Sequence, residues 1–212
     1  MFVEILQNII DLQIAFFLFL IVWKKKNLGK HINVFILAVS TNLLSLMLAK
    51  FLISTNYLTN NHIVFNIGVL LLTFLFYFVY FYKKTTQPNL KKMQLAVIIL
   101  FLLSYLIFII SDELFFKRFS IDLYFVETIL LITSIGVFLF QTFKSELVLN
   151  IKQYFPFWVS IGLLILYCGL LPILIFSTKP GFSINMNLFN SILILVNVVG
   201  YGTMIRGVFS SK

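Results

Sequence analysis

Long apolar runs alternate with short polar segments along the whole chain, and there are seven such runs. Each is close to the roughly 20 apolar residues that a helix needs to cross the hydrocarbon core of a bilayer. The segments between them are too short to hold a separate folded domain. The pattern therefore predicts an all-α membrane protein, in which residues 1–212 form a single integral membrane domain, a seven-transmembrane helix bundle. The predicted spans are residues 3–23, 32–54, 63–82, 93–111, 121–143, 156–177 and 186–208.

The composition fits a bilayer environment and excludes several other classes of protein. Hydrophobic residues make up 61% of the 212 residues and charged residues only 11%, whereas a soluble domain is about 45–50% apolar and about 25% charged. A disordered chain and a water-soluble globule are both excluded. The net charge of +9 does not predict a nucleic-acid partner, because the charges lie in the loops between apolar runs.

The basic residues are distributed unevenly between the two sides of the predicted bundle. Of the sixteen, Lys50, Lys117, Arg118 and Lys179 lie on one side, and the other twelve lie in segments that follow odd-numbered spans. Because loops rich in lysine and arginine face the cytoplasm, we expect the N-terminus outside and the C-terminus in the cytoplasm. The basic cytoplasmic face should also attract anionic lipid head groups.

Polar side chains inside apolar runs mark candidate functional positions, because the hydrocarbon core cannot satisfy them. In the first span Glu4, Gln7, Asn8 and Asp11 follow the i, i+3, i+4, i+7 spacing that places residues on one helix face. This face must point to the bundle interior or to a water-filled cavity. Asp11 is the deepest of the four and has a short side chain, so it cannot easily reach the interface.

Other polar residues are predicted to lie at a similar depth in the outer half of the bundle. The functional interpretation is a polar ligand-binding pocket that opens to the outside. It would be lined by Asp11, Asn8, Lys50, Asn66, Glu127 and Asn190. The alternative is that Lys50 and the acids reach the membrane interface or form structural pairs.

Two asparagines are predicted at mid-depth, Asn42 in the second span and Asn197 in the seventh. Since no water reaches that depth, we expect both amides to form structural hydrogen bonds between helices. Glycines seven residues apart also predict close helix packing in the last two spans. They are Gly162 and Gly169 in the sixth span and Gly200 and Gly207 in the seventh.

The chain lacks the motifs of several intramembrane chemistries. It has no His-Glu-x-x-His motif and no Gly-x-Ser-x-Gly nucleophile elbow. One cysteine, Cys168, and two histidines predict neither a disulfide nor a metal site, so no cofactor is expected. The last span has no lysine at mid-depth, which excludes a retinal Schiff base. An enzyme that uses the carboxylates of Asp11 and Glu127 stays open.

Two stretches in the last two spans carry a family resemblance. Residues 157–169 read Phe-Trp-Val-Ser-Ile-Gly-Leu-Leu-Ile-Leu-Tyr-Cys-Gly, and residues 187–193 read Asn-Leu-Phe-Asn-Ser-Ile-Leu, followed by Asn197. They resemble an uncharacterised family of small bacterial seven-transmembrane-helix proteins associated with sensor histidine kinase neighbourhoods. The resemblance implies the bacterial cytoplasmic (inner) membrane and a signalling partner such as a histidine kinase. It also implies an acid near the start of the third span, where this chain has Asn66.

Three functions are compatible with these features. The first is a non-enzymatic sensory or accessory module for signal transduction, which acts through a membrane partner. The second is a small transporter of a polar or ionic solute, whose signature would be a broken helix near the midplane. The third is an intramembrane lipid-modifying enzyme, and a structural or assembly role is the remaining alternative. The outer pocket and the resemblance favour the first.

Overall fold

Helices account for all the regular secondary structure in the described part of the chain. The structure is a computed structural model that describes residues 2–55, 57, 60–177 and 186–211, without the side chains of residues 2–7, 173–177 and 186–188. Long apolar runs favour helices because a helix satisfies its backbone polar groups within one segment. The prediction of an all-α protein is confirmed.

Seven long helices follow the predicted spans among the described residues. They are α1 (Phe2–Trp23), α2 (Ile32–Ser54), α3 (His62–Lys84), α4 (Pro88–Ser111), α5 (Ile121–Phe143), α6 (Phe155–Ser177) and α7 (Met186–Ser210). α2 and α5 begin and end at the predicted residues. α4 begins earlier than predicted, because Pro88 is favoured in the first turn of a helix, where its missing N–H is not needed.

Six of these helices are long and apolar enough to cross a membrane. They are α2 to α5, α6 over Phe155–Pro172 and α7 over Phe189–Ser210. The described apolar part of α1, Asn8–Trp23, is shorter. A multi-pass membrane protein is therefore supported, while the seventh span and the orientation of the termini stay predictions. Lys179, one of the four basic residues on the less basic side, lies outside the described residues.

Contacts within the chain divide it into two compact units. The first contains residues 1–30 and 145–212, with α1, α6 and α7. The second contains residues 31–144, with α2 to α5. The prediction of a single domain stays a prediction.

In the first unit α6 and α7 pack closely where their glycines face each other. A Cβ atom on Gly162 would lie 2.8 Å from the carbonyl oxygen of Gly200, and one on Gly200 would lie 3.1 Å from that of Gly162. Since these obstacles are backbone atoms, a larger side chain would force the helices apart. The prediction of close packing at these glycines is confirmed.

α1 runs alongside α7 in the same direction within the first unit. The Gln13 Nε2 atom donates a hydrogen bond to the carbonyl oxygen of Asn197 at 3.4 Å. Further along both helices, the ammonium group of Lys24 lies 4.8 Å from the centre of the Phe209 ring. Because the contacts follow the same order along both helices, α1 and α7 are parallel.

In the second unit α3 packs against α2, α4 and α5. The ring of Phe78 lies 4.9 Å from that of Phe101 on α4, and the ring of Phe81 lies 5.4 Å from that of Phe138 on α5. All four side chains are buried. Aromatic contacts of this kind contribute beyond the area that they bury, and they fix α3 as the centre of this unit.

The first half of α3 is wound as a π-helix over Phe65–Thr73. The Thr73 hydroxyl donates to the Gly68 carbonyl oxygen, five residues back, at 2.9 Å. Gly68 faces α2, where a Cβ atom would lie 2.8 Å from the Cβ atom of Ser45. π-Helical turns are rare and occur frequently at functional sites, so the side chains of this stretch are candidate functional residues.

Candidate functional site

Asn66 lies in the π-helical stretch and holds the connection between α4 and α5 (residues 112–120) against α3. Its side chain is 0% exposed. Its Nδ2 atom donates to the carbonyl oxygens of Phe115 and Arg118, the second at 2.9 Å. Its Oδ1 atom accepts a hydrogen bond from the N–H of Ser120 at 3.3 Å. The amide therefore uses both its donor and its acceptor side on backbone groups of one connection.

A carboxylate at position 66 could not make the same contacts. It has no hydrogen to donate, so it would face the carbonyl oxygens of Phe115 and Arg118 as an unpaired acceptor. This is a physical reason for an amide at Asn66, where the family resemblance implies an acid near the start of the third span.

Tyr105 connects α4 to the same position. Its hydroxyl donates a hydrogen bond to the main-chain carbonyl oxygen of Asn66 at 3.1 Å. Its ring packs edge-on against Phe115, with the ring centres 5.5 Å apart. Both side chains are buried, so Tyr105 fixes the π-helical stretch and the connection with one polar and one aromatic contact.

Glu127, in the same unit, is a buried acid without a hydrogen-bond partner among the described residues. It lies on α5 two turns after Ser120, about 10 Å along the helix axis, and its side chain is 0% exposed. Within the described residues, neither carboxylate oxygen has a hydrogen-bond partner. Tyr105 lies close enough for the two groups to interact electrostatically. We call Asn66, Tyr105, Ser120 and Glu127 the buried polar cluster.

The environment of Glu127 defines what it can bind. A buried carboxylate without a donor is costly, and acids inside membrane helices commonly mark proton or ion pathways. No three His, Cys, Asp or Glu side chains come together among the described residues. A metal ion at Glu127 would thus be held by one carboxylate and by neutral oxygen atoms, which suits a small monovalent cation. The other candidate occupant is a proton.

The six residues of the predicted outer pocket fall into both structural units. Asn66 and Glu127 lie in the second unit. Lys50 also belongs to the second unit and is half-buried. The pocket as a whole stays a prediction.

The remaining pocket residues belong to the first unit. Asn8 is exposed and Asp11 is half-buried. Asn190 is buried, and its Nδ2 atom has no acceptor among the described residues. The side chains of Glu4 and Gln7, which complete the predicted polar face of the first span, lie outside the described residues.

Of the two mid-depth asparagines, Asn197 forms hydrogen bonds both within its own helix and to α1. Asn197 is largely buried, but its Nδ2 atom donates to the carbonyl oxygen of Leu193 on its own helix, at 2.7 Å. Its link to α1 runs through its main-chain carbonyl, which accepts from Gln13. Asn42 is half-buried. The interhelical role of both amide side chains stays a prediction.

Sequence reasoning missed a pair of polar contacts between α4 and α5. The Gln94 Nε2 atom donates to the carbonyl oxygen of Ser134 at 2.8 Å, and the Ser134 hydroxyl donates to Gln94 Oε1 at 2.6 Å. On the same helix as Ser134, Gln141 Oε1 accepts from the N–H groups of Thr86 and Gln87, just before α4 begins. The sequence does carry a signal for these contacts, because Gln94 and Gln141 are polar residues within predicted spans.

Comparison of the chain with protein-family models, with curated proteins and with solved structures finds no match.

Proposed function

We propose that this chain is a seven-span protein of the bacterial cytoplasmic membrane that acts as a non-enzymatic sensory or accessory module. It responds to the occupancy of Glu127 by a proton or a small monovalent cation. It transmits this state to a membrane or signalling partner, such as a histidine kinase, in a signal-transduction role. The N-terminus lies outside and the C-terminus in the cytoplasm.

The packing of α1 supports the seventh span. α1 follows α7 over the interval marked by the Gln13–Asn197 and Lys24–Phe209 contacts, and α7 is apolar enough to cross the membrane. Because successive spans alternate in direction, a first and a seventh span must be parallel. The parallel course of α1 and α7 agrees with this requirement.

The observation that carries the proposed function is the state of Glu127. Its carboxylate is fully buried and has no donor among the described residues, while the amide of Asn66, in the same structural unit, makes three hydrogen bonds. A fully satisfied cluster would serve structure alone. One unsatisfied acid within it supports the binding of an exchangeable cationic species.

The contacts around Asn66 provide a route from Glu127 to the membrane surface. Tyr105 interacts electrostatically with Glu127 and donates to Asn66. Asn66 holds the connection that contains the exposed ion pair between Arg118 and Asp112, 3.1 Å apart. A change of charge at Glu127 would alter the hydrogen bonds that position this connection, and a partner could detect the change there.

A transporter is the second candidate, and one observation favours it. The π-helical stretch Phe65–Thr73 interrupts the regular winding of α3 beside the buried polar cluster. Transporters place broken helices and ion sites together in this way. The two candidates differ in whether the cation crosses the membrane.

The experiment measures cation-dependent stability in the purified protein. The thermal unfolding midpoint of the wild-type chain should change with Na⁺, K⁺ or proton concentration, because a ligand that binds only the folded state stabilises it. Glu127→Gln should lose this dependence. Glu113→Gln, which removes an exposed acid from the α4–α5 connection, is the matched control and should keep it. The same dependence in all three proteins contradicts the proposal.

A flux measurement in liposomes separates the two candidates. Cation-dependent stability without ion flux supports the sensory module. An ion flux that Glu127→Gln abolishes and Glu113→Gln retains would replace it with the transporter.

A further inference from the structure

A short 3₁₀ segment before α6, Glu146–Gln153, presents apolar side chains outward. Leu149 is 82% exposed, and Leu147 and Val148 are exposed as well. One residue, Tyr154, separates the segment from Phe155, where α6 and its membrane-spanning part begin. Its apolar side chains therefore lie at the level of the membrane–water interface.

Trp158 on α6 fixes this segment to α6 and α7, two of the three long helices of the first unit. Its indole N–H donates to the carbonyl oxygen of Lys152 at 2.8 Å. Its ring packs against Gly207 of α7, where a Cβ atom would lie 2.7 Å from Trp158 Cγ. Tryptophan is enriched at membrane interfaces because its ring is apolar and its N–H is polar. The 3₁₀ segment is thus held in place by an interfacial anchor.

Two basic side chains accompany the anchor. The guanidinium of Arg206 lies 5.1 Å from the centre of the Trp158 ring, and Lys152 is the residue whose carbonyl accepts from the indole. Both side chains are exposed, and no ion pair of either is seen within the described residues. Glu146, the acid of this segment, is at its other end.

We propose that the surface formed by Leu149, Lys152, Trp158 and Arg206 binds an anionic phospholipid of the membrane leaflet at this end of the first unit. The lipid phosphate lies between Arg206 and Lys152, and Leu149 enters the acyl region. Arginine suits this role because its planar guanidinium pairs with phosphate oxygens. Exposed apolar residues next to basic ones are typical of segments that lie in the interface of anionic membranes.

The bilayer is the occupant that the position of this surface favours. A soluble partner would leave Leu149 at the depth of the lipid head groups with no apolar neighbour. The negative surface of the cytoplasmic leaflet matches the positive charge, in agreement with the predicted orientation. Lipid binding at this surface does not depend on cation binding at Glu127.

The experiment counts lipid retained by the purified protein, measured by native mass spectrometry after exchange into phosphatidylglycerol or phosphatidylcholine. Wild-type protein should retain phosphatidylglycerol preferentially. A basic side chain near an anionic membrane contributes about fivefold to affinity, so Arg206→Gln with Lys152→Gln should weaken this binding about thirtyfold. Both residues are exposed, so in phosphatidylcholine the variant should lose only the Arg206–Trp158 contact, a small downward shift of the melting midpoint.

The matched control is Lys83→Gln with Lys92→Gln, two exposed lysines on the same predicted face but in the second unit. It removes the same charge and should reduce the binding by less than threefold if the surface is a defined site. If the two double variants lose phosphatidylglycerol binding equally, the proposed site is wrong, because equal losses would indicate a general attraction of basic residues to anionic lipid. Equal retention of both lipids by the wild type would also overturn it.

A second measurement tests the depth of Leu149. The chain has one cysteine, so Cys168→Ser allows Leu149→Cys to carry a single spin label. In bilayers the label should be more accessible to dissolved oxygen than to a water-soluble nickel complex. The opposite order would place the segment in water and contradict the proposal.

Discussion

The hydroxyl of Tyr105 donates a hydrogen bond to the main-chain carbonyl oxygen of Asn66, 3.1 Å away, across the boundary between α4 and α3. The bond connects a rigid helix to the π-helical stretch that carries Asn66. It also brings the Tyr105 ring next to Phe115 in the α4–α5 connection. Two residues thus connect α4, the π-helical stretch of α3 and the α4–α5 connection, in the unit that also contains Glu127.

Removing the Tyr105 hydroxyl should weaken this connection without creating a cavity. Tyr105→Phe keeps the ring and its contact with Phe115 but removes the hydrogen bond to the Asn66 carbonyl, which should cost about 1 kcal/mol. Thermal unfolding in detergent measures the loss. Tyr57→Phe, at an exposed tyrosine of the α2–α3 connection, is the control and should leave the midpoint unchanged. Equal midpoints in the two variants would show that the bond does not stabilise the fold.

Replacing the Asn66 amide by a carboxylate should destabilise the fold more than removing the Tyr105 hydroxyl does. Asn66→Asp loses both donated hydrogen bonds and directs a carboxylate at two carbonyl oxygens, so we expect a loss of about 2–4 kcal/mol. Denaturation of the purified protein tests it. Asn89→Asp makes the same chemical change at an exposed position in the first turn of α4, where a negative charge is favourable. An Asn66→Asp protein as stable as Asn89→Asp would contradict the assigned role of the amide.

Adding one methyl group should destabilise the protein at a glycine that faces another helix but not at a glycine that faces outward. Gly162→Ala places a Cβ atom 2.8 Å from the carbonyl oxygen of Gly200, and overpacking of this kind costs about 1–3 kcal/mol. Gly202→Ala meets nothing within 4 Å and should be neutral, or stabilising by up to about 1 kcal/mol through helix propensity. Melting midpoints in the reverse order would refute the close packing of α6 and α7.

The Gln94–Ser134 pair should show energetic coupling between α4 and α5. In a double-mutant cycle with Gln94→Leu and Ser134→Ala, the coupling energy should be about 0.6–1.7 kcal/mol, the range for hydrogen bonds between membrane helices. A parallel cycle with Thr133→Ala uses a neighbour whose hydroxyl donates within its own helix, to Ile129. The cycle with Thr133→Ala should give no coupling energy. If both cycles give the same coupling energy, the hydrogen bonds between Gln94 and Ser134 are not the source of the coupling.

The helices could be predicted from the sequence because their signal is local. A run of apolar residues specifies a membrane helix without reference to any other part of the chain, and α2 and α5 begin and end where the runs do. The start of α4 was missed because residues 88–92, Pro-Asn-Leu-Lys-Lys, do not continue the apolar run. A proline at the first position and two lysines at the membrane end still allow a helix there.

The buried polar cluster could be predicted only in part. Asn66 and Glu127 were singled out as polar residues within apolar runs, which is a local property. Their link through Tyr105 depends on the packing of α4 against α3, and the depth of a residue along its own helix does not determine which residues of other helices it faces. The π-helical winding around Asn66 gives no sequence signal comparable to a proline.

Difference infrared spectroscopy of the protein in lipid bilayers tests most directly whether Glu127 takes up an exchangeable cation. Spectra recorded between two pH values, and between buffers with and without Na⁺ or K⁺, report carboxyl groups that gain or lose a proton or bind an ion. The proposed role predicts a carboxyl difference band that is present in the wild type and in Glu113→Gln and absent from Glu127→Gln. A Glu127→Gln spectrum identical to that of the wild type, under every pH and salt change, would contradict it.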